Sequence, residues 1–152
     1  LLREYFPGCA VTTDLIVGFP GETEEEFRQS LDFVRACGLA KIHIFPYSRR
    51  TGTPAAKMPD QVPNVVKESR ASEAAAVAAE LEDAFHTALI GTEQAVLFEQ
   101  PEAGFFTGHA PNYVKVYVEA EDLHNQIRCV RVTGPCRDGV LGELVDGTEK
   151  TF

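Results

Sequence analysis

Thr13-Asp14-Leu15-Ile16-Val17-Gly18-Phe19-Pro20-Gly21-Glu22-Thr23 decides how the first half of this 152-residue chain folds. Val11 to Phe19 is a β-branched, largely apolar run with the composition of a buried strand, closed by Pro20-Gly21. A helix begins directly afterwards. Thr23 and Glu26 have the spacing of a capping box, and Glu24 to Glu26 bring negative charge to the positive end of the helix dipole. Phe27, Leu31 and Val34 then recur on one helical face, and Gly38 stops the helix. Lys41 to Tyr47, with Ile42 and Ile44 flanked by aromatic rings, reads as a second strand. Strand, helix and strand at this spacing form one βαβ unit, so the two strands are expected to run parallel.

Beyond this unit, residues 48–62 are polar, rich in Gly and Pro, and read as a loop carrying Arg49, Arg50 and Lys57. Asn64 to Leu89 reads as a long helix containing eight alanines, with Val66, Arg70, Val77, Leu81, Phe85 and Leu89 as its packed face. The second half changes period. Thr92 to Phe98, Tyr113 to Ala120, Gln126 to Thr133 and Val140 to Asp146 are strand candidates. Val114, Val116 and Val118 alternate with Tyr113, Lys115, Tyr117 and Glu119, the pattern of a half-buried antiparallel strand. Short strands this close together suggest a small barrel of the oligonucleotide-binding type.

The formal charge is −9; residues 1–90 carry 9 basic and 13 acidic side chains, and residues 91–152 carry 5 and 10. Neither half is a basic module, which argues against a simple polyphosphate binder. No run approaches the roughly 18 apolar residues of a membrane span, and a soluble, cytoplasmic protein is expected. Cys9, Cys37, Cys129 and Cys136 have no C-x-x-C spacing and are expected to be partly buried thiols. The chain starts with Leu1 inside a segment that reads as ordered, which suggests a fragment.

Two segments carry chemistry. The glycines after the first strand let a ligand approach the backbone, and the following helix offers free N–H groups. At the end of the second strand, His43-Ile44-Phe45-Pro46-Tyr47-Ser48-Arg49-Arg50-Thr51-Gly52-Thr53-Pro54-Ala55 offers a flat ring, a hydroxyl, a guanidinium and a Gly turn. Such groups suit an adenine face, a ribose and a carboxylate. In parallel barrels, functional groups gather at these C-terminal strand ends. The alternative is that Phe45 and Tyr47 are core aromatics, with Arg49 and Arg50 a solvated pair.

Together the two strings resemble the methylthiotransferase branch of radical S-adenosylmethionine (SAM) enzymes, which has DxIVGFPGET beside the SAM site and a strand ending F-x-Y-S-x-R-x-G-T-x-A. Ile90-Gly91, Val96-Leu97-Phe98-Glu99 and Gly108-His109-Ala110-Pro111-Asn112-Tyr113 look like a TRAM domain, the RNA-binding barrel that ends this family. The resemblance runs from about Arg3 to Asp146. It implies the C-terminal part of a partial (β/α) radical SAM barrel with a linking helix (residues 1–89), followed by a small TRAM barrel (residues 90–147). The fold class is thus α/β followed by all-β. Gly18, Pro20, Gly21, Glu22, Phe45, Tyr47, Ser48 and Arg50 are the implied cofactor contacts. His109, Asn112, Tyr113, Lys115, Tyr117 and Arg131 are the implied RNA contacts, the tyrosines by stacking on unpaired bases.

The segment from Gly52 to Pro63, followed by G-x-x-x-N-Y, looks most like the branch that methylthiolates threonylcarbamoyladenosine beside the tRNA anticodon. The family's 4Fe-4S cluster needs a C-x-x-x-C-x-x-C loop, which this sequence lacks, so the chain is expected to be inactive alone. A barrel missing its first strands would also expose a sheet edge and self-associate. A non-catalytic RNA-binding adaptor and an enzyme acting on a ribosomal protein are the alternatives.

Overall fold

The computed structural model describes residues 2–149. In chain order the elements are α1 (Leu2–Tyr5), β1 (Thr12–Val17), α2 (Glu24–Cys37), β2 (Lys41–Pro46), a 3-10 turn (Ala55–Lys57) and α3 (Asn64–Ala88). β3 (Glu93–Glu102), β4 (Phe105–His109), β5 (Lys115–Val118), β6 (Ile127–Cys136) and β7 (Gly139–Glu149) follow. The chain divides into two compact units, one of Val11–Glu82 and the other of residues 2–10 with 83–149. The boundary between the two units falls inside α3, a few residues before the turn at Ile90.

In the Val11–Glu82 unit, β1 and β2 pair in parallel from Thr12↔Lys41 to Val17↔Pro46. α2 forms for the reasons its sequence supplies. Thr23 Oγ1 accepts the Glu26 N–H at 3.2 Å, and the Glu26 carboxylate accepts the Thr23 N–H at 2.8 Å, which closes the capping box. The bond from the Thr23 backbone holds the Glu26 carboxyl below its ordinary value of 4.5. Gly38, left-handed at φ 57°, ends the helix. Phe27, Leu31 and Val34 of α2 pack with Val17, Ile42, Ala74 and Val77 into one core.

In the other unit, β3 to β7 close a five-stranded barrel in the order β3-β4-β5-β7-β6. β5 and β7 pair in parallel, and the remaining neighbours are antiparallel. Closure removes every sheet edge, the arrangement of small oligonucleotide-binding barrels. Val96, Phe98, Val116, Val130, Val132 and Val140 fill the interior. β4 is the strand that sequence reading omits. Phe106, Thr107 and Gly108 are buried in succession, so it has no period-two signal. Gly108 lies against the Leu97 backbone so closely that any side chain would collide there.

β5 also departs from the expected alternation. Val116, Tyr117 and Val118 are all buried, so Tyr117 does not share an open face with Tyr113. The Phe105 ring meets Tyr117 edge-on at 5.8 Å, and the Arg137 guanidinium lies 5.4 Å from its centroid. These two groups cover what would otherwise be the solvated side of the strand. All four cysteines are half-buried, and none forms a disulfide. No described helix is long and apolar enough to cross a membrane.

Candidate functional site

The pairing Val17↔Pro46 brings the C-terminal ends of β1 and β2 to one edge of their sheet. A pocket of about 440 Å³ opens there, lined by Ile16, Phe45, Pro46, Tyr47, Ser48, Arg50, Thr53 and Ala55. It gathers the four implied cofactor residues of the second segment: Phe45, Tyr47, Ser48 and Arg50. Ile16 and Thr53 are additional lining residues, which only the parallel register and the folded loop bring into place. Phe45 is half exposed and Arg50 exposed, so the pocket combines an apolar wall, the Ser48 hydroxyl and a guanidinium, while the Thr53 hydroxyl donates to the Arg50 carbonyl at 2.8 Å. The Tyr47 hydroxyl is buried without a hydrogen-bond partner. A buried polar group left unmatched in this way calls for a partner.

Gly18, Pro20, Gly21 and Glu22 do not line this pocket, and their polar groups are engaged within the protein. The Gly18 N–H donates to Glu22 Oε2 at 2.6 Å, and the Gly21 N–H donates to the Asp60 carbonyl at 2.9 Å. Gly18 (φ 73°) and Gly21 (φ 84°) both need left-handed backbone. Pro20 is buried. Arg70 of α3 donates to the Glu22 carboxylate at 2.6 Å and to the Glu22 carbonyl at 3.1 Å. Both side chains of this pair are largely buried. Glu22 therefore braces the turn after β1, and Arg70 is the brace's anchor.

A larger groove of about 620 Å³ runs along β1 and α2, between Thr13, Asp14, Ser30 and Phe33. None of the implied cofactor residues lines it.

On the barrel, the implied RNA contacts separate. Tyr113 sits between β4 and β5 at φ 62°, with 88% of its surface exposed. Asn112, next to it, accepts the Val114 N–H at 3.3 Å and so shapes the loop. A cleft of about 360 Å³ beside them is also lined by Pro7, Gly8, Cys9, Ala10, Gln94 and Pro111. Lys115 pairs with Glu102 at 2.7 Å and Asp138 at 3.7 Å, and its hydrogen bond to Glu102 is the main reason its pKa is raised. Tyr117 is fully buried and donates its hydroxyl to Asp138. Burial raises the Tyr117 pKa, while the bond from Tyr117 is the main factor holding the Asp138 carboxyl low. Arg131 pairs with Glu93 at 2.8 Å, and His109 Nδ1 lies 2.7 Å from Glu99.

Each of Lys115, Arg131 and His109 thus already faces a carboxylate. The base-stacking role expected of Tyr117 does not fit its burial. Among the implied RNA contacts, Tyr113 alone offers an open aromatic face.

No protein-family model matches the chain. Curated relatives do. The threonylcarbamoyladenosine tRNA methylthiotransferase MtaB of Bacillus subtilis (strain 168) is 41% identical over 140 residues, covering 86% of this chain and 30% of that protein. The ribosomal protein uS12 methylthiotransferase RimO of Heliobacterium modesticaldum is 39% identical over 153 residues, covering 95% of this chain and 33% of that protein. The chain belongs to the radical SAM methylthiotransferase family. A further member, the tRNA-2-methylthio-N(6)-dimethylallyladenosine synthase of Maricaulis maris, is 37% identical over 146 residues, covering 94% of this chain and 32% of that protein. The chain spans about a third of the length of these curated family members.

Proposed function

We propose that this chain is the C-terminal part of a methylthiotransferase that acts on threonylcarbamoyladenosine beside the tRNA anticodon. The observation that carries the reading is the pocket at the β1 and β2 strand ends, built from the family's own F-x-Y-S-x-R segment. Its residues fit SAM: Phe45 offers a face for the adenine, Ser48 offers a hydroxyl, and Arg50 offers a cation for a carboxylate. Bound together with a 4Fe-4S cluster, SAM would supply the radical chemistry of this enzyme class. The residues of this chain bind and orient the cofactor.

Cluster ligands would come from a longer protein. The barrel would meet the tRNA anticodon stem-loop through Tyr113, with Asn112 beside it. On this reading the Val11–Glu82 unit is part of a (β/α) barrel, and the fragment by itself does not turn over.

A second reading, a methylthiotransferase acting on a ribosomal protein, rests on the relative from Heliobacterium modesticaldum that is named a ribosomal protein uS12 methylthiotransferase. The segment from Gly52 to Pro63 and the G-x-x-x-N-Y string support the tRNA branch instead. Offering the purified longer protein undermodified tRNA and ribosomal protein uS12 in parallel separates the two readings. Methylthiolation of tRNA alone is expected. Modification of uS12 alone would transfer the chain to the second reading.

A further inference from the structure

Lys67 is a cation in an unexpected place. It lies on α3, in one buried row with Arg70, Ala74 and Val77, and is only 8% exposed. Lysine is rarely buried unless it is paired, yet Lys67 meets no carboxylate within ion-pair distance among the described residues. Its ammonium donates to the Tyr47 carbonyl at 3.1 Å and sits 5.4 Å from the centroid of the Tyr47 ring. The same side chain runs beneath Gly18, where an added Cβ would collide with Lys67 Cγ. The Tyr47 N–H donates in turn to the Val17 carbonyl at 2.8 Å.

One buried side chain therefore touches both strand ends. It grips Tyr47 by main chain and by ring, and it fills the space that makes glycine necessary at position 18. We infer that Lys67 is the positioning residue of the strand-end pocket, acting through Tyr47. It does not line the pocket. Its bond instead sets where the chain leaves β2, and so where Tyr47, Ser48 and Arg50 stand. The ammonium contributes a charge-assisted bond to a carbonyl in a largely dry site, which is stronger than a neutral contact. The inference rests on the reading that the pocket binds SAM.

The test titrates the chain calorimetrically with S-adenosylhomocysteine, the unreactive analogue, and follows amide hydrogen exchange by NMR. Lys67→Met keeps the apolar stem under Gly18 and removes the ammonium, Lys67→Arg keeps a donor cation, and Arg50→Met alters the pocket itself. Expected for Lys67→Met are about ten-fold weaker binding and faster exchange at Tyr47, whose N–H donates to the Val17 carbonyl. The α2 amides should stay protected, and Lys67→Arg should bind within about three-fold of the parent chain. Binding that Arg50→Met weakens and both Lys67 variants leave unchanged would overturn this inference while preserving the pocket reading. Exchange at Tyr47 unaltered in Lys67→Met would also overturn it. No binding by the parent chain would overturn the pocket reading and this inference with it.

Discussion

At the scale of single residues, charged groups in this chain mostly hold the fold together. Arg70 and Glu22 form a largely buried pair across 48 positions of sequence, and the Arg70 guanidinium also lies 5.3 Å from the Phe27 ring centroid. Removing one member of such a pair strands the other, so Arg70→Met should destabilise the Val11–Glu82 unit by about 3 kcal/mol in denaturant unfolding. A loss under about 1 kcal/mol would show that the pair is solvent-screened. The helix spacing already puts Arg70 on the packed face, yet nothing local to Lys67 or Glu22 names their partners. Those partners exist only once two distant loops meet.

On the barrel, Tyr117 and Asp138 make stability depend on pH in opposite directions. The Tyr117 pKa is raised above 10.0, chiefly by burial, so its contribution is complete below pH 10.0 and is lost as pH rises through the raised value. Lys115, raised chiefly by its bond to Glu102, adds to the same alkaline limb. Asp138 is lowered from 3.8, so its contribution holds above that pH and is lost as pH falls through the lowered value. Thermal melts across pH should therefore give Tyr117→Phe a flatter alkaline limb and Asp138→Asn a flatter acid limb. An unchanged slope in either variant would contradict the assignment.

Among elements, α2 is the one whose sequence and structure agree most closely. Its start, its buried face and its stop are each set by residues within a few positions, which is why they can be read without the fold. Thr23→Ala deletes the capping side chain and should cost about 1 kcal/mol, while Thr23→Ser should keep most of the stability. Denaturant midpoints of the two variants check this. β4 shows the opposite case. Phe105-Phe106-Thr107-Gly108-His109 has neither alternation nor a long apolar run, and its strand character comes from pairing with β3 and β5. Tyr117 was legible as a strand residue, but its burial was not. Phe105 and Arg137, which cover it, come from β4 and from the β6–β7 turn.

For the whole molecule, the two units differ in how their sheets end. The barrel closes on itself, whereas β1 and β2 pair only with each other among the described residues. Ile16, Phe33 and Phe45 are at least half exposed in that unit. Unpaired edges beside exposed apolar side chains favour association. Light scattering should show a mass that rises with concentration and falls in Phe33→Ser, and a monomer at every concentration would contradict this. The composition already warned that RNA contact could not rest on bulk positive charge, and the pairing of Lys115, Arg131 and His109 with carboxylates gives that warning a structural form. The proposed tRNA contact then depends on Tyr113, whose open ring no sequence pattern could separate from that of Tyr117.

The central claim, that this chain belongs to a tRNA threonylcarbamoyladenosine methylthiotransferase, is tested most directly by mass spectrometry of tRNA nucleosides with and without its gene. The account predicts that deletion abolishes 2-methylthio-threonylcarbamoyladenosine and lets unmethylthiolated threonylcarbamoyladenosine accumulate. A nucleoside profile that deletion leaves unchanged would contradict it.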